Sequence, residues 1–402
     1  MEQSGILSVE GGRAWRVHAV ASALVLGAIF LIAVWTRLWV LTSVPVGFLF
    51  GFLLQRGDLC GASAFSEVLL MRDWRKVFGL WVCIVVSMGA FALLEALGWA
   101  TLRPKPFYPL NHIVGGVIFG VGMVLGGGCV TGSLFKVGTG NLNSMAALVG
   151  IPLGVAMIEY GPLRSAHVAM KKLVVRAADG GPLSLPAITG LSFGVIALAL
   201  GAVTLVVALV VRRGRRKRPP GRTGLGGLLT RSWKPWQAGV AIGLLAGPAL
   251  LSSAAAGRNY PLGVTHGVLE AQQLVTDRDF EHRWRPGSPS GADRTAGPKG
   301  KKIVWWLVGL VTSLVVGSWT SARWSGQARL LPKPPGQTVV AFFGGILVGV
   351  GAGLGMGCVT GNILSGWALM SVGSFVFGFV TMLASWAATY FYLMGGTLIR
   401  SR

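Results

Sequence analysis

The strongest constraint in this sequence is a repeat. Residues 115–132, GGVIFGVGMVLGGGCVTG, return 229 positions later at 344–361 as GGILVGVGAGLGMGCVTG. Twelve of the eighteen positions are identical, with no gap. The chain is therefore an internal duplication. Each copy is an apolar, glycine-rich segment that stops at a cysteine, Cys129 or Cys358. The Thr and Gly that follow can start a new helix. In a bilayer, broken backbone is tolerated only where protein buries it or where it lines a cavity. The repeat thus predicts two interrupted membrane helices, each broken at a cysteine.

Composition settles the setting. The 402 residues are 52% hydrophobic and only 12% charged, against about 25% charged for a soluble domain. Several apolar runs reach roughly 20 residues, enough to cross about 30 Å of hydrocarbon. The expected fold class is an all-α polytopic membrane protein of about ten transmembrane helices. The first run, 18–41, is too long and too late for a signal peptide. The formal charge of +23 invites a nucleic-acid reading. The charge sits in loops between apolar segments, however, so anionic lipid is the expected partner and no nucleic acid is implied. Segment 212–234 carries nine basic residues and no acid, which the positive-inside rule makes a cytoplasmic loop.

In chain order, 1–43 is an N-terminal segment with an extra helix, and 44–211 is the first repeat half plus a connecting helix. After the basic loop 212–234, the second half fills 235–402. It carries a polar stretch, 276–302, expected to be a flexible external insertion. Further breaks are expected at 55–60 and 257–267. Aligning Arg56–Gly61 with Arg258–Gly263 keeps the Arg and the last Gly and puts Leu262 at the cysteine position. Four half-helix breaks thus share three cysteines. With both termini cytoplasmic, the two copies lie five spans apart. An odd offset makes them cross in opposite directions, as an inverted repeat with a site near the midplane.

Half-helix N-termini present unpaired N–H groups and a positive dipole end, which suits an anion. Thr131 and Thr360 read equally as caps or as ligand contacts. Gly61, Gly128, Gly132, Gly357 and Gly361 support the breaks. Gly116 and Gly120, like Gly345 and Gly349, have the GxxxG spacing of close helix packing. A thiol is a weak, polarizable donor suited to a soft sulfur atom, which singles out Cys60, Cys129 and Cys358. Cys83 lies in an unbroken helix and reads as core. Arg56 and Lys136 can guide an anion or snorkel to the interface. His266 reads first as a neutral hydrogen-bonding histidine. Glu67 and Glu270 read as membrane-edge residues. No His/Cys/Asp cluster has metal-ligand spacing. The glycine runs are not nucleotide loops, because no strand–helix unit surrounds them. No cofactor is expected.

QRGDLCGASAFSE, GGGCVTGS and GMGCVTGN, with NYPLGVTHG, resemble the YeeE/YedE family of bacterial inner-membrane proteins over about residues 44–394. The resemblance implies uptake of thiosulfate or a related sulfur anion, and no enzyme. It also implies that Cys60, Cys129 and Cys358 line a narrow path between two funnels and pass the ion by transient S–H···S contacts. The first helix, the long basic loop and the 276–302 insertion depart from the family pattern. The alternative is a membrane sulfurtransferase, in which a cysteine persulfide passes sulfur to a cytoplasmic carrier of the TusA type. No rhodanese-like loop or acid–base pair supports that reading.

Overall fold

A computed structural model describes residues 14–213, 231–277, 281–283, 302–330 and 334–395. Ten helical segments in it are long and apolar enough to cross a membrane. The helices are α1 (Ala14–Thr36), α2 (Ser43–Gly57), α3 (Gly61–Met71), α4 (Arg75–Ala96), α5 (Pro109–Leu125), α6 (Val130–Gly138) and α7 (Leu142–Glu159). Two short helices follow, α8 (Arg164–Lys171) and α9 (Leu185–Thr189), then the long α10 (Phe193–Arg213). The second half comprises α11 (Pro235–Ala255), α12 (Thr265–Thr276), α13 (Trp305–Trp324), α14 (Pro335–Leu354) and α15 (Val372–Ala388). Proline starts α5, α11 and α14, where its missing N–H costs nothing.

Helices α1 and α10 sit at the periphery, with only 6% of the residues in the apolar window of each buried. The helix expected over 18–41 ends at Thr36, because Arg37 turns left-handed at φ 55°. Most of the basic loop and of the 276–302 insertion lies outside the described residues. At the insertion's ends, β1 (Glu281–Arg283) pairs in parallel with β2 (Lys302–Val304).

The two copies of the repeat pack against each other in opposite directions. A Cβ built on Gly115 would lie 2.6 Å from Gly355 N, and one on Gly344 would overlap Gly126 N. Gly126 and Gly355 are repeat mates, 229 apart. Likewise a Cβ on Gly122 would lie 2.6 Å from Val348 N, and one on its mate Gly351 would overlap the backbone of Phe119, the mate of Val348. Contacts that map onto each other when the copies are exchanged define a two-fold relation. Low residue numbers of one copy meet high numbers of the other, so α5 and α14 are antiparallel. The chain is an inverted repeat.

The GxxxG glycines face outward from this pair. Gly116 and Gly120 lie against Val380, Thr381 and Ala384 of α15, while Gly345 and Gly349 lie against Ala147, Ile151 and Gly154 of α7. A second matched set surrounds this centre. Gly47 and Gly51 of α2 approach the α13 backbone at Leu310 and Leu314, and Gly239 and Gly243 of α11 approach α4 at Gly79 and Cys83. Small residues let these backbones touch, and in lipid that contact is the main source of helix affinity.

This packing predicts that Gly122→Ala and Gly351→Ala each destabilise the protein by roughly 1–3 kcal/mol, because the added methyl meets backbone and cannot be relieved by a rotamer change. Gly89→Ala, where nothing lies within 4 Å, should be neutral or mildly stabilising. Thermal unfolding in detergent of the three variants checks this.

Candidate functional site

Each cysteine break has the same local grammar. A helix ends, a residue adopts left-handed backbone, and two positions later a cysteine opens the next helix. The left-handed residues are Asp58 (φ 45°), Gly127 (φ 67°) and Met356 (φ 58°). At the second and third breaks, Gly128 and Gly357 come next, and only Gly357 is itself in the positive-φ range, at 151°. Cys60 and Cys129 are the N-caps of α3 and α6. Cys129 Sγ accepts from Gly132 N at 3.3 Å. After Cys358 the chain forms a π-helical turn over Thr360–Leu364.

The fourth break differs from the sequence expectation. It spans the end of α11 to the start of α12, and the residue at the N-cap is Val264, not Leu262. The loop is longer than the cysteine breaks, with left-handed turns at Gly257 and Asn259, and a one-for-one alignment cannot absorb the extra residues. Both Leu262 and Val264 are buried. Cys60, Cys129 and Val264 therefore hold the N-cap positions at three breaks, and Cys358 directly precedes the N-cap Val359 at the other.

All four breaks meet. A Cβ on Gly132 would overlap the Cys60 sulfur and lie 3.5 Å from the Cys129 sulfur, which joins the first break to the second. A Cβ on Gly61 would lie 2.8 Å from Val359, joining the first break to the third. Cys358 N donates to Thr265 Oγ1 at 3.1 Å, joining the third to the fourth. Thr131 Oγ1 lies 3.9 Å from Cys358 Sγ and 2.6 Å from Thr360 Oγ1. Thr131 and Thr360 are repeat mates, so this hydroxyl pair sits on the pseudo-two-fold axis. Neither threonine is a cap, which corrects one of the two sequence readings. The caps are Cys129 and Val359, and the threonines lie in the first turn after them, facing each other. All three cysteines are buried, as is Cys83, which stays in the unbroken α4 with its carbonyl taken by Ser87 at 2.8 Å.

On one face a cavity of about 260 Å³ leads toward Cys358, lined by Lys105, Arg258, Tyr260, Gly263, Val264, Thr265, His266, Leu307, Met356, Gly357 and Gly361. Lys105 Nζ donates to Met356 O at 2.7 Å and to Asn362 Oδ1 at 3.1 Å. Gly357 and Gly361 carry no side chain to displace it. Arg258 is held by the carbonyls of Tyr260 and Pro261, at 3.2 and 2.8 Å. Its guanidinium lies over the Tyr260 and Trp306 rings. Tyr260 OH donates to Gly361 O at 2.6 Å. Burial pushes the pKa of Lys105 down to about 7, opposed by Cys358 and reinforced by Arg258. A cation held this way gains from an arriving anion.

His266 is at the cavity wall, half-exposed, with Nε2 3.6 Å from Glu159 Oε1. On the opposite face, Lys136 donates to Gly127 O at 2.6 Å. Arg56 is buried, its guanidinium 5.1 Å from the centre of the Phe52 ring. Gly128 packs beside Ser133. Glu67 pairs with Lys76 at 2.6 Å. Glu270 is buried and accepts from Val304 N at 3.1 Å, capping an amide just before α13. Sequence reasoning missed Lys105 and Asn362. Lys105 sits ten residues before the repeat in a proline-rich connection, and Asn362 replaces a serine of the first copy, so neither carried a signal. Among the described residues no cluster of three or more His, Cys, Asp or Glu side chains could hold a metal ion.

An inverted repeat of broken helices whose interruptions meet at the centre defines a membrane transporter. The sulphur-transport family model matches residues 56–387, and the chain belongs to that family, the YeeE/YedE group. It is 30% identical to the thiosulfate transporter TsuA of Escherichia coli K12 over 357 residues, covering 87% of this chain and 94% of that protein. It is 28% identical to the TsuA of Spirochaeta thermophila over 366 residues, covering 88% and 96% of the two chains. A shorter match, 29% over 113 residues and 28% of this chain, is to the probable transporter YedE of Escherichia coli K12. The chain is a sulphur transporter and not an enzyme.

The axial hydroxyl pair predicts that Thr131→Val and Thr360→Val each cost about 1–3 kcal/mol, since each leaves one buried hydroxyl unpaired. The double variant should cost less than the sum. A double-mutant cycle read by denaturant unfolding checks it.

Proposed function

We propose that this protein is a permease of the bacterial inner membrane that imports thiosulfate or a closely related sulfur anion. The ion enters the Lys105–Arg258 cavity and passes Cys358, the threonine pair, Cys129 and Cys60. It leaves at the face that carries Lys136. The observation that carries this reading is the convergence of three break thiols around Thr131 and Thr360. The TsuA relatives, aligned over most of both chains, support thiosulfate as the substrate.

The chemistry fits that ion. Thiosulfate has hard oxygens at one end and one soft sulfur at the other. Half-helix N-termini and a cationic cavity favour its charge. A neutral S–H is a weak donor that can meet the soft sulfur and let it go. Thiolates would repel the anion, so the thiols act protonated. Sulfate, with oxygen in place of the terminal sulfur, lacks the soft contact and keeps a tighter hydration shell. Nothing in this route breaks a bond. Charge placement puts the termini and the 212–234 loop in the cytoplasm. A cytoplasmic sulfur carrier of the TusA type is a candidate recipient downstream.

Uptake into proteoliposomes tests the path. Cys60→Ala, Cys129→Ala and Cys358→Ala should each reduce initial thiosulfate uptake at least about tenfold, with normal insertion. Serine variants should recover only part of the rate, and Cys83→Ala should be near wild type. Thiosulfate labelled separately in its two sulfurs should deliver both at equal rates. Delivery of one sulfur alone would establish a transferase instead.

A further inference from the structure

The two mouths of the site share an arrangement that the repeat does not encode. Gly127 and Met356 are repeat mates, each left-handed and two positions before a break cysteine. Each carbonyl accepts from a lysine, Gly127 O from Lys136 at 2.6 Å and Met356 O from Lys105 at 2.7 Å. The lysines themselves are not mates. The position equivalent to Lys136 in the second copy is Ser365, whose hydroxyl donates instead to Leu262 O at 2.7 Å. Lys136 comes from the half-helix α6 after its break, and Lys105 from the connection before α5. Two unrelated parts of the chain thus bring an ammonium to the same carbonyl at opposite ends of the path.

A cation that served only to neutralise a carboxylate would look different, and the structure holds one for comparison. Lys76 bridges Asp58 and Glu67. Among the described residues neither Lys105 nor Lys136 has a carboxylate within ion-pair distance. Their hydrogen-bond acceptors are neutral, the carbonyls and, for Lys105, Asn362 Oδ1. Each acceptor carbonyl lies two residues before a break cysteine, Gly127 before Cys129 and Met356 before Cys358. A carbonyl satisfies an N–H but leaves the charge uncompensated, and a charge-assisted bond to an anion is roughly twice as strong as a neutral one. The lysine side chain is long and rotatable, so it can exchange one acceptor for the other.

We propose that Lys105 and Lys136 are a pair of transferable anion contacts, one at each mouth, parked on the Met356 and Gly127 carbonyls and turned onto the anion when it reaches the adjacent thiol. The inference rests on the permease reading above and adds that the two faces are served by different lysines. Affinity at the cavity face is set by Lys105, and affinity at the opposite face by Lys136.

The test uses the full-length protein in oriented vesicles, with thiosulfate applied from either face. Glutamine keeps an N–H for the carbonyl and removes the charge. Arginine keeps the charge. Lys105→Gln should raise KM about tenfold from the cavity face and change it less than about twofold from the other. Lys136→Gln should do the reverse. Lys105→Arg and Lys136→Arg should stay closer to wild type than the glutamine variants at their own faces. Glutamine variants that match wild type from both faces would overturn the pair, since the lysines would then only cap backbone. A KM raised equally from both faces would overturn it as well. If a glutamine variant fails to insert, Lys105→Met or Lys136→Met takes its place, with KM raised at its own face alone supporting the pair and KM unchanged at both faces rejecting it. Wild-type uptake with unchanged variants rejects this inference only. No uptake by the wild type rejects the permease reading and the pair together.

Discussion

The structure depends on backbone-to-backbone contact between two glycine-rich helices running in opposite directions. Helices α5 and α14 approach so closely that a single methyl at Gly115, Gly122, Gly344 or Gly351 would meet the main chain of the partner. In lipid there is no hydrophobic gain from bringing two apolar helices together, so such contact is what holds them. The antiparallel crossing then sets everything else. It brings the two copies of the break to one axis, where Thr131 and Thr360 close the symmetry with a hydrogen bond.

Breaking a helix inside a membrane frees carbonyls and amides that lipid cannot satisfy. Side chains meet that demand at the second, third and fourth breaks. Asn362 Nδ2 donates to Gly355 O and Gly357 O at 2.9 and 2.8 Å. Lys105, Lys136, Tyr260 and Ser365 cover Met356 O, Gly127 O, Gly361 O and Leu262 O. These groups keep the half-helix N-termini aimed at the centre, next to the thiols. Lys105 and Tyr260 also line the cavity beside the third break.

The repeat, the breaks and the cysteines were legible because each leaves a mark in one chain read against itself. Twelve matches in eighteen positions, with an odd number of spans between the copies, were enough for the inverted architecture. The glycine spacing of 116/120 and 345/349 foretold the close packing, now seen against α15 and α7. The fourth break was harder. Its loop is longer, so Val264 rather than Leu262 reached the cap position. The threonines read as caps because a hydroxyl near a helix start usually is one. Their pairing depends on a partner 229 residues away. Lys105 was illegible for the same kind of reason. Its role follows from a carbonyl in the other half of the chain, and the repeat offers no counterpart for it.

The central claim is that the ion passes between the break thiols. The Cys60 and Cys129 sulfurs both lie beside Gly132, so oxidising them to a disulfide would close the path without adding or removing a side chain. Uptake of labelled thiosulfate should be measured in a Cys83→Ala background before oxidation, after oxidation, and after reduction with dithiothreitol, with the Cys60–Cys129 bond confirmed by mass spectrometry. The account predicts that uptake stops with the disulfide and returns on reduction. Undiminished uptake with the disulfide formed in most molecules would contradict it.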